Sequence, residues 1–128
     1  MLYVLSSKGL IMKFLIAGLG SIGRRHMRNL VAVGEKDIVL YRTRKSTMPE
    51  EELAGFPQEI DLHAALEKYK PDAVIVANPT ALHLDVAIPA AEAGCSLLLE
   101  KPLSHSMERI DQLEAALKRG GGSVVVGF

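Results

Sequence analysis

The chain is short of cysteine, of net charge and of long apolar runs, and each shortage closes off a class of function. Cys95 is the only cysteine in 128 residues, so there is no intramolecular disulfide, CxxC pair or cysteine-based zinc cluster. A reducing, cytoplasmic setting is the resulting expectation. Fifteen Lys and Arg balance fifteen Asp and Glu, and no basic block stands out, so nucleic acid is not expected as a partner. No apolar run approaches the ~20 residues of a membrane span, and no membrane partner is expected. Lys8 and Lys13 interrupt the apolar N-terminus, and no small-residue cleavage site comes after it, which argues against a signal peptide. No internal repeat or low-complexity tract is visible. His63 and His105 have no partners at metal-ligand spacing, so no metal site is expected.

What is present is a regular alternation of short apolar runs with amphipathic segments, the pattern of βαβ units and a parallel sheet. The length suits one domain with a core and is too short for two. Met12-Lys13 reads as a natural start, so residues 1–11 are expected to be a leader or extension and 12–128 a single domain. Strands are expected at 13–17, 37–42, around Phe56, 73–77, 95–100 and 123–126. Helices are expected at 21–33, 46–54, 62–68 with Asp61 as N-cap, from just after the Asn78-Pro79-Thr80 loop to about Ala93 with a kink at Pro89, and from Ser104 or Ser106 to Lys118. Gly120-Gly121-Gly122 reads as a turn. The fold class is α/β, a doubly wound, parallel, six-stranded Rossmann sheet ordered 3-2-1-4-5-6.

The stretch 14–26 organises the rest. An apolar run ends in Gly18-Leu19-Gly20-Ser21-Ile22-Gly23, and a helical pattern comes next. Gly18 permits a tight turn, Gly20 lets a pyrophosphate approach the backbone, and Gly23 lets helix and strand pack closely. The helix N-terminus then offers N–H groups and a positive dipole end to a phosphate. In a sheet of this order ligands bind at the carboxyl ends of the strands. The marked loops fall there: 18–23 after the first strand, 42–45 after the second, 78–80 after the fourth and 100–102 after the fifth.

The second strand end normally carries an acid for the adenosine ribose of NAD, yet no Asp or Glu lies from Ile38 to Met48. The segment reads Arg42-Thr43-Arg44-Lys45 instead. A carboxylate would repel a 2′-phosphate, whereas guanidinium groups and a hydroxyl bind one, so NADP is favoured over NAD. The other reading of this segment is a solvated loop with incidental basic residues. Asn78, Pro79 and Thr80 are candidates to line the pyrophosphate and nicotinamide ribose, with Thr80 equally suited to cap the next helix. His26 reads as a packing residue, one of Arg24 and Arg25 as a phosphate contact or solvent-facing, and Cys95 as buried.

The motifs Gly18–Gly23 with His26, Ala77-Asn78-Pro79-Thr80 with His83, and Glu100-Lys101-Pro102 together resemble the glucose–fructose oxidoreductase / inositol dehydrogenase (Gfo/Idh/MocA) family. The Glu-Lys-Pro triplet is the specific part. The resemblance implies that Lys101 lies beside the nicotinamide and serves as the catalytic residue at the substrate hydroxyl. It implies a cofactor-side role for His83, while strand alternation makes Glu100 structural or cofactor-side. It also implies a C-terminal substrate domain, absent from this sequence, a sugar-like small-molecule substrate and a homo-oligomer for the full-length protein. The expectation is thus the cofactor domain of an NAD(P)-dependent oxidoreductase, inactive or nearly so by itself. The alternative is a stand-alone dinucleotide-binding or redox-sensing module without catalysis.

Overall fold

Four central strands are apolar along almost their whole length because the sheet is covered on both faces. The computed structural model describes residues 12–42, 51–79, 82–100 and 107–126. The strands are β1 (Phe14–Ala17), β2 (Ile38–Tyr41), β3 (Gln58–Glu59), β4 (Ala73–Val76), β5 (Ser96–Leu99) and β6 (Val124–Val126). Between them lie helices α1 (Ser21–Ala32), α2 (Leu62–Tyr69), α3 (His83–Glu92) and α4 (Met107–Gly120), with a short 3-10 turn at Glu51–Leu53. All strand pairs are parallel, in the order β3-β2-β1-β4-β5-β6. That is the expected doubly wound order. Among the described residues no helix is long and apolar enough to cross a membrane.

Alternation of side chains along each strand divides the core in two. Leu15, Val74 and Leu97 are in register across β1, β4 and β5 and face α2, α3 and α4. Leu40, Ile16, Ile75 and Leu98 form the adjacent row and face the side where Met27 and Leu30 of α1 pack. Burying each such Leu or Ile contributes roughly 1.5–3 kcal/mol, which is what holds these four-residue strands in place.

Local signals set the helix ends. The Asp61 carboxylate accepts from the Ala64 N–H at 3.0 Å and starts α2. Both α1 and α3 end in the same six-to-one backbone bond, Glu35 N–H to Leu30 O and Cys95 N–H to Ala90 O, around Gly34 and Gly94. Helix α3 starts later than expected, at His83, and contains Pro89. The expected strand at Phe56 is displaced to Gln58–Glu59. Of the expected helix 46–54, residues 46–50 lie outside the described residues, and the remainder forms only the 3-10 turn.

The glycine triplet at 120–122 is not a simple turn. Gly120 is the last residue of α4, and a Cβ there would lie 1.9 Å from the Ala91 carbonyl oxygen of α3. Small residues at the contact, Ala87, Ala90 and Ala91 on α3 and Ala116 on α4, bring the two helices close. The ion pairs Arg109–Asp85 (2.6 Å) and Arg119–Glu92 (3.1 Å) flank the contact at the surface and add little energy there.

Cys95 is buried, and its thiol donates to the Pro71 carbonyl at 3.2 Å. Burial, with Asp72 nearby, pushes its pKa up to about 11.

This packing has measurable consequences. Gly120→Ala should force α3 and α4 apart and lower stability by roughly 1–3 kcal/mol in chemical unfolding. Gly55→Ala, with open space at its Cβ, should stay within ~0.5 kcal/mol of the parent. Cys95 should resist alkylation at pH 8 in the folded chain. Because its folded pKa lies above the ordinary 9.0, its contribution to stability is complete below pH 9 and lost as pH rises through about 11. A denaturant series from pH 8 to 11 on the chain and on Cys95→Ala reads that difference.

Candidate functional site

The carboxyl ends of β1, β2, β4 and β5 lie at one end of the sheet, since all these strands run in the same direction. At its centre is the turn between β1 and α1. Gly18 has φ +97°, and a Cβ on it would fall 2.6 Å from the Asn78 backbone nitrogen. Its lack of a side chain therefore permits both the turn and the contact with the loop after β4. Gly23 presses α1 onto that turn: a Cβ there would overlap the Gly18 carbonyl oxygen at 1.7 Å. Gly20 is different. Its backbone is extended (φ −75°), and a Cβ would meet nothing within 4 Å. The protein itself does not require glycine at 20.

Gly20 is also the N-cap of α1 and makes no side-chain cap. The first-turn N–H groups of Ser21, Ile22 and Gly23 have no intrahelical acceptor, and the turn has no acidic residue. Ser21 and Ile22 are exposed, whereas Leu19 is buried in the α1-side core. The arrangement is a clear space over an uncapped, positive helix end, suited to an anion. These residues fit the diphosphate of a dinucleotide.

The rest of the turn is braced from beneath. Arg24 is fully buried, and its Nε donates to the Leu19 carbonyl at 2.9 Å. Arg25 is exposed. His26, one turn into α1, pairs through Nε2 with the Glu100 carboxylate at the end of β5. In the sequence alone His26 reads as packing and Glu100 has no partner. The two are 74 residues apart, and no local pattern joins them.

After β4, the Asn78 side-chain amide donates to the Leu82 carbonyl at 3.1 Å, and Pro79 is exposed. His83 is buried, and its Nε2 donates to the Asn78 carbonyl at 2.7 Å. A carbonyl only accepts, so Nε2 carries the proton. The ring thus holds the loop after β4 and is not directed to solvent. At the end of β2, Tyr41 packs on the α2–α3 side. Burial raises its pKa, with Asp61 and Asp85 adding to the effect. Arg42 is 9% exposed and donates its backbone N–H to the Glu59 carbonyl at 3.1 Å. Thr43, Arg44, Thr80 and Lys101 lie outside the described residues. Among the described residues no group of His, Cys, Asp and Glu is placed to hold a metal ion.

The structure thus brings together Gly18, Gly20, Gly23, Asn78, His83 and Glu100 around one end of the sheet. Comparison with known proteins agrees with this geometry. A family model described as "Oxidoreductase family, NAD-binding Rossmann fold" (GFO_IDH_MocA) matches residues 12–128. The chain is 34% identical over 117 residues to scyllo-inositol 2-dehydrogenase (NAD(+)) of Bacillus subtilis, covering 88% of this chain and 34% of that protein. It is 29% identical over 124 residues to myo-inositol 2-dehydrogenase of Thermotoga maritima, covering 91% and 36%. The solved structure of the WlbA dehydrogenase of Bordetella pertussis, in complex with NADH and UDP-GlcNAcA, superposes with a TM-score of 0.80 at 26% identity. That match covers 91% of this chain and 37% of the WlbA chain. The chain therefore spans about a third of the length of these relatives. With its strand order, its glycine turn and nearly its whole length matched, the chain belongs to the Gfo/Idh/MocA oxidoreductase family and is its NAD-binding Rossmann domain.

Proposed function

We propose that this chain is the cofactor-binding part of an enzyme that moves a hydride between a nicotinamide dinucleotide and a sugar-like or polyol alcohol. The observation that carries the reading is Gly20. It caps α1 without a side chain and leaves open space over the first-turn N–H groups. The N–H groups of Leu19, Ser21, Ile22 and Gly23 and the helix dipole would hold a diphosphate in such a space. Asn78, Pro79, Thr80 and His83 supply or shape the adjoining wall, and Glu100 the far one. The inositol dehydrogenase relatives support a polyol-like substrate.

A bound nicotinamide supplies the hydride acceptor or donor. Lys101 follows the anchored end of β5, and its role in this proposal is to hold or relay the proton at the substrate hydroxyl. With an oxidised, positively charged nicotinamide bound nearby, the ammonium form of Lys101 would be disfavoured, which would suit proton transfer. Arg42, Thr43 and Arg44 favour NADP, because this strand end has basic residues and a hydroxyl where NAD-binding relatives of the fold use an acid. The setting proposed is the cytoplasm, and the whole enzyme a homo-oligomer.

Calorimetric titration of the chain with NADP and NAD tests the reading. At least one should bind, with NADP tighter by about tenfold, the order expected of one added charge-assisted contact. No binding of either at millimolar concentration overturns the reading, and a preference for NAD overturns the NADP assignment alone. Gly20→Ala should leave the melting temperature unchanged yet weaken binding about tenfold or more, since its Cβ intrudes only on the ligand. Gly23→Ala should lose both, because it clashes with the protein itself.

A further inference from the structure

We infer that His26 and Glu100 act together as a brace that holds the walls of the dinucleotide cleft at a fixed separation, making both positioning residues for the cofactor. The inference rests on the dinucleotide reading above and assigns the control of cleft width to this pair, acting through the elements it joins.

The pair joins elements that the sheet keeps apart. β1 and β5 are separated by β4. His26 belongs to α1, whose first turn is pressed onto β1's glycine turn by Gly23. Glu100 follows β5, and its backbone N–H continues the ladder to the Val76 carbonyl of β4 at 3.3 Å. Alternation places Glu100 on the same face as Leu98, the face on which α1 packs. His26 therefore reaches past the β4 position to a carboxylate on the far side of the rim.

The pair is also buried, with side chains 5% and 12% exposed. Nδ1 of His26 is buried without a hydrogen-bond partner among the described residues, so Glu100 is the polar partner of the ring. A surface pair of this kind would matter little. A buried one is costly to break, because the group left behind stays unpaired. An apolar pair of similar volume would serve stability as well or better. What the polar pair adds is direction. One carboxylate is fixed on two sides, by β4 through its backbone and by α1 through its side chain. The next residue in the chain is Lys101. The helix proposed to receive the phosphates and the end of β5 that leads to the candidate catalytic lysine are thereby tied to each other.

A positioning role and a merely structural one differ in what they move. Titrating NADP or NAD into the chain, His26→Leu and Glu100→Leu, alongside thermal melts, separates them. Each single variant should bind about tenfold more weakly while folded at the assay temperature. The double variant should bind no more weakly than either single, since one brace is lost in all three. His26→Gln keeps a donor at similar reach and should recover most of the affinity. If the leucine variants do not fold, Glu100→Gln, which keeps the shape, should still bind several-fold more weakly. Lowered melting temperatures with unchanged affinity would overturn the brace and leave the dinucleotide reading standing. Additive losses in the double variant would overturn it as well. A parent chain that binds neither dinucleotide overturns the underlying reading, and the brace with it.

Discussion

The structure depends on one backbone contact, the seating of Gly23 against the carbonyl of Gly18. Any side chain at 23 would occupy the space of that oxygen. The contact sets how close α1 lies to β1 and so where the helix N-terminus points. Gly18 carries the constraint further, because its bare Cα also abuts the backbone of Asn78. Helix α1, the end of β1 and the loop after β4 are therefore one packed unit, built from main chain and not from side chains. Backbone-to-backbone packing leaves little room for adjustment, which suits a surface that must present N–H groups at fixed positions.

Around this unit the sheet is filled unevenly. Three helices cover one face among the described residues, while α1, Met12 and Leu53 pack against the other. The close crossing of α3 and α4 is possible only because their contact is alanine and glycine. Rigidity on the three-helix face fixes β4 and β5, and the ends of β4 and β5 lie beside the glycine turn on the same rim. The site thus inherits its precision from packing that lies outside it.

Much of this was legible in the sequence, and the reasons are local. Apolar runs such as Phe14–Ala17 and Leu97–Leu99 stand out because burial on both faces removes polar alternation. Asp61 announces a helix start because its cap reaches only three residues ahead. The glycine turn is legible for the same reason. The features that were not legible depend on distant partners. Gly120 looks like a turn residue until Ala91 is beside it. Of Arg24 and Arg25, Arg25 is exposed as one of the pair was expected to be, whereas Arg24 is fully buried on the carbonyl of Leu19, which no local pattern announces. The bond between His26 and Glu100 spans 74 positions, and neither residue carries a local signal of it.

The buried polar side chains point to what the rim requires. Among the described residues, those of Arg24, His26, Arg42 and His83 are buried, and each follows the carboxyl end of β1, β2 or β4. At the opposite end of the sheet the buried hydrogen-bonding side chain among the described residues is the Cys95 thiol, on the Pro71 carbonyl. Burying these groups costs desolvation that an apolar filling would avoid. Arg24 and His83 return that cost by tying down backbone carbonyls, of Leu19 and Asn78, in loops that have no strand or helix ladder of their own. Apolar packing is non-directional and would let such loops settle in several ways. Hydrogen bonds from fixed donors select one arrangement. The concentration of buried charged and imidazole groups at one end is what a binding rim needs if its loops are to be set before a ligand arrives.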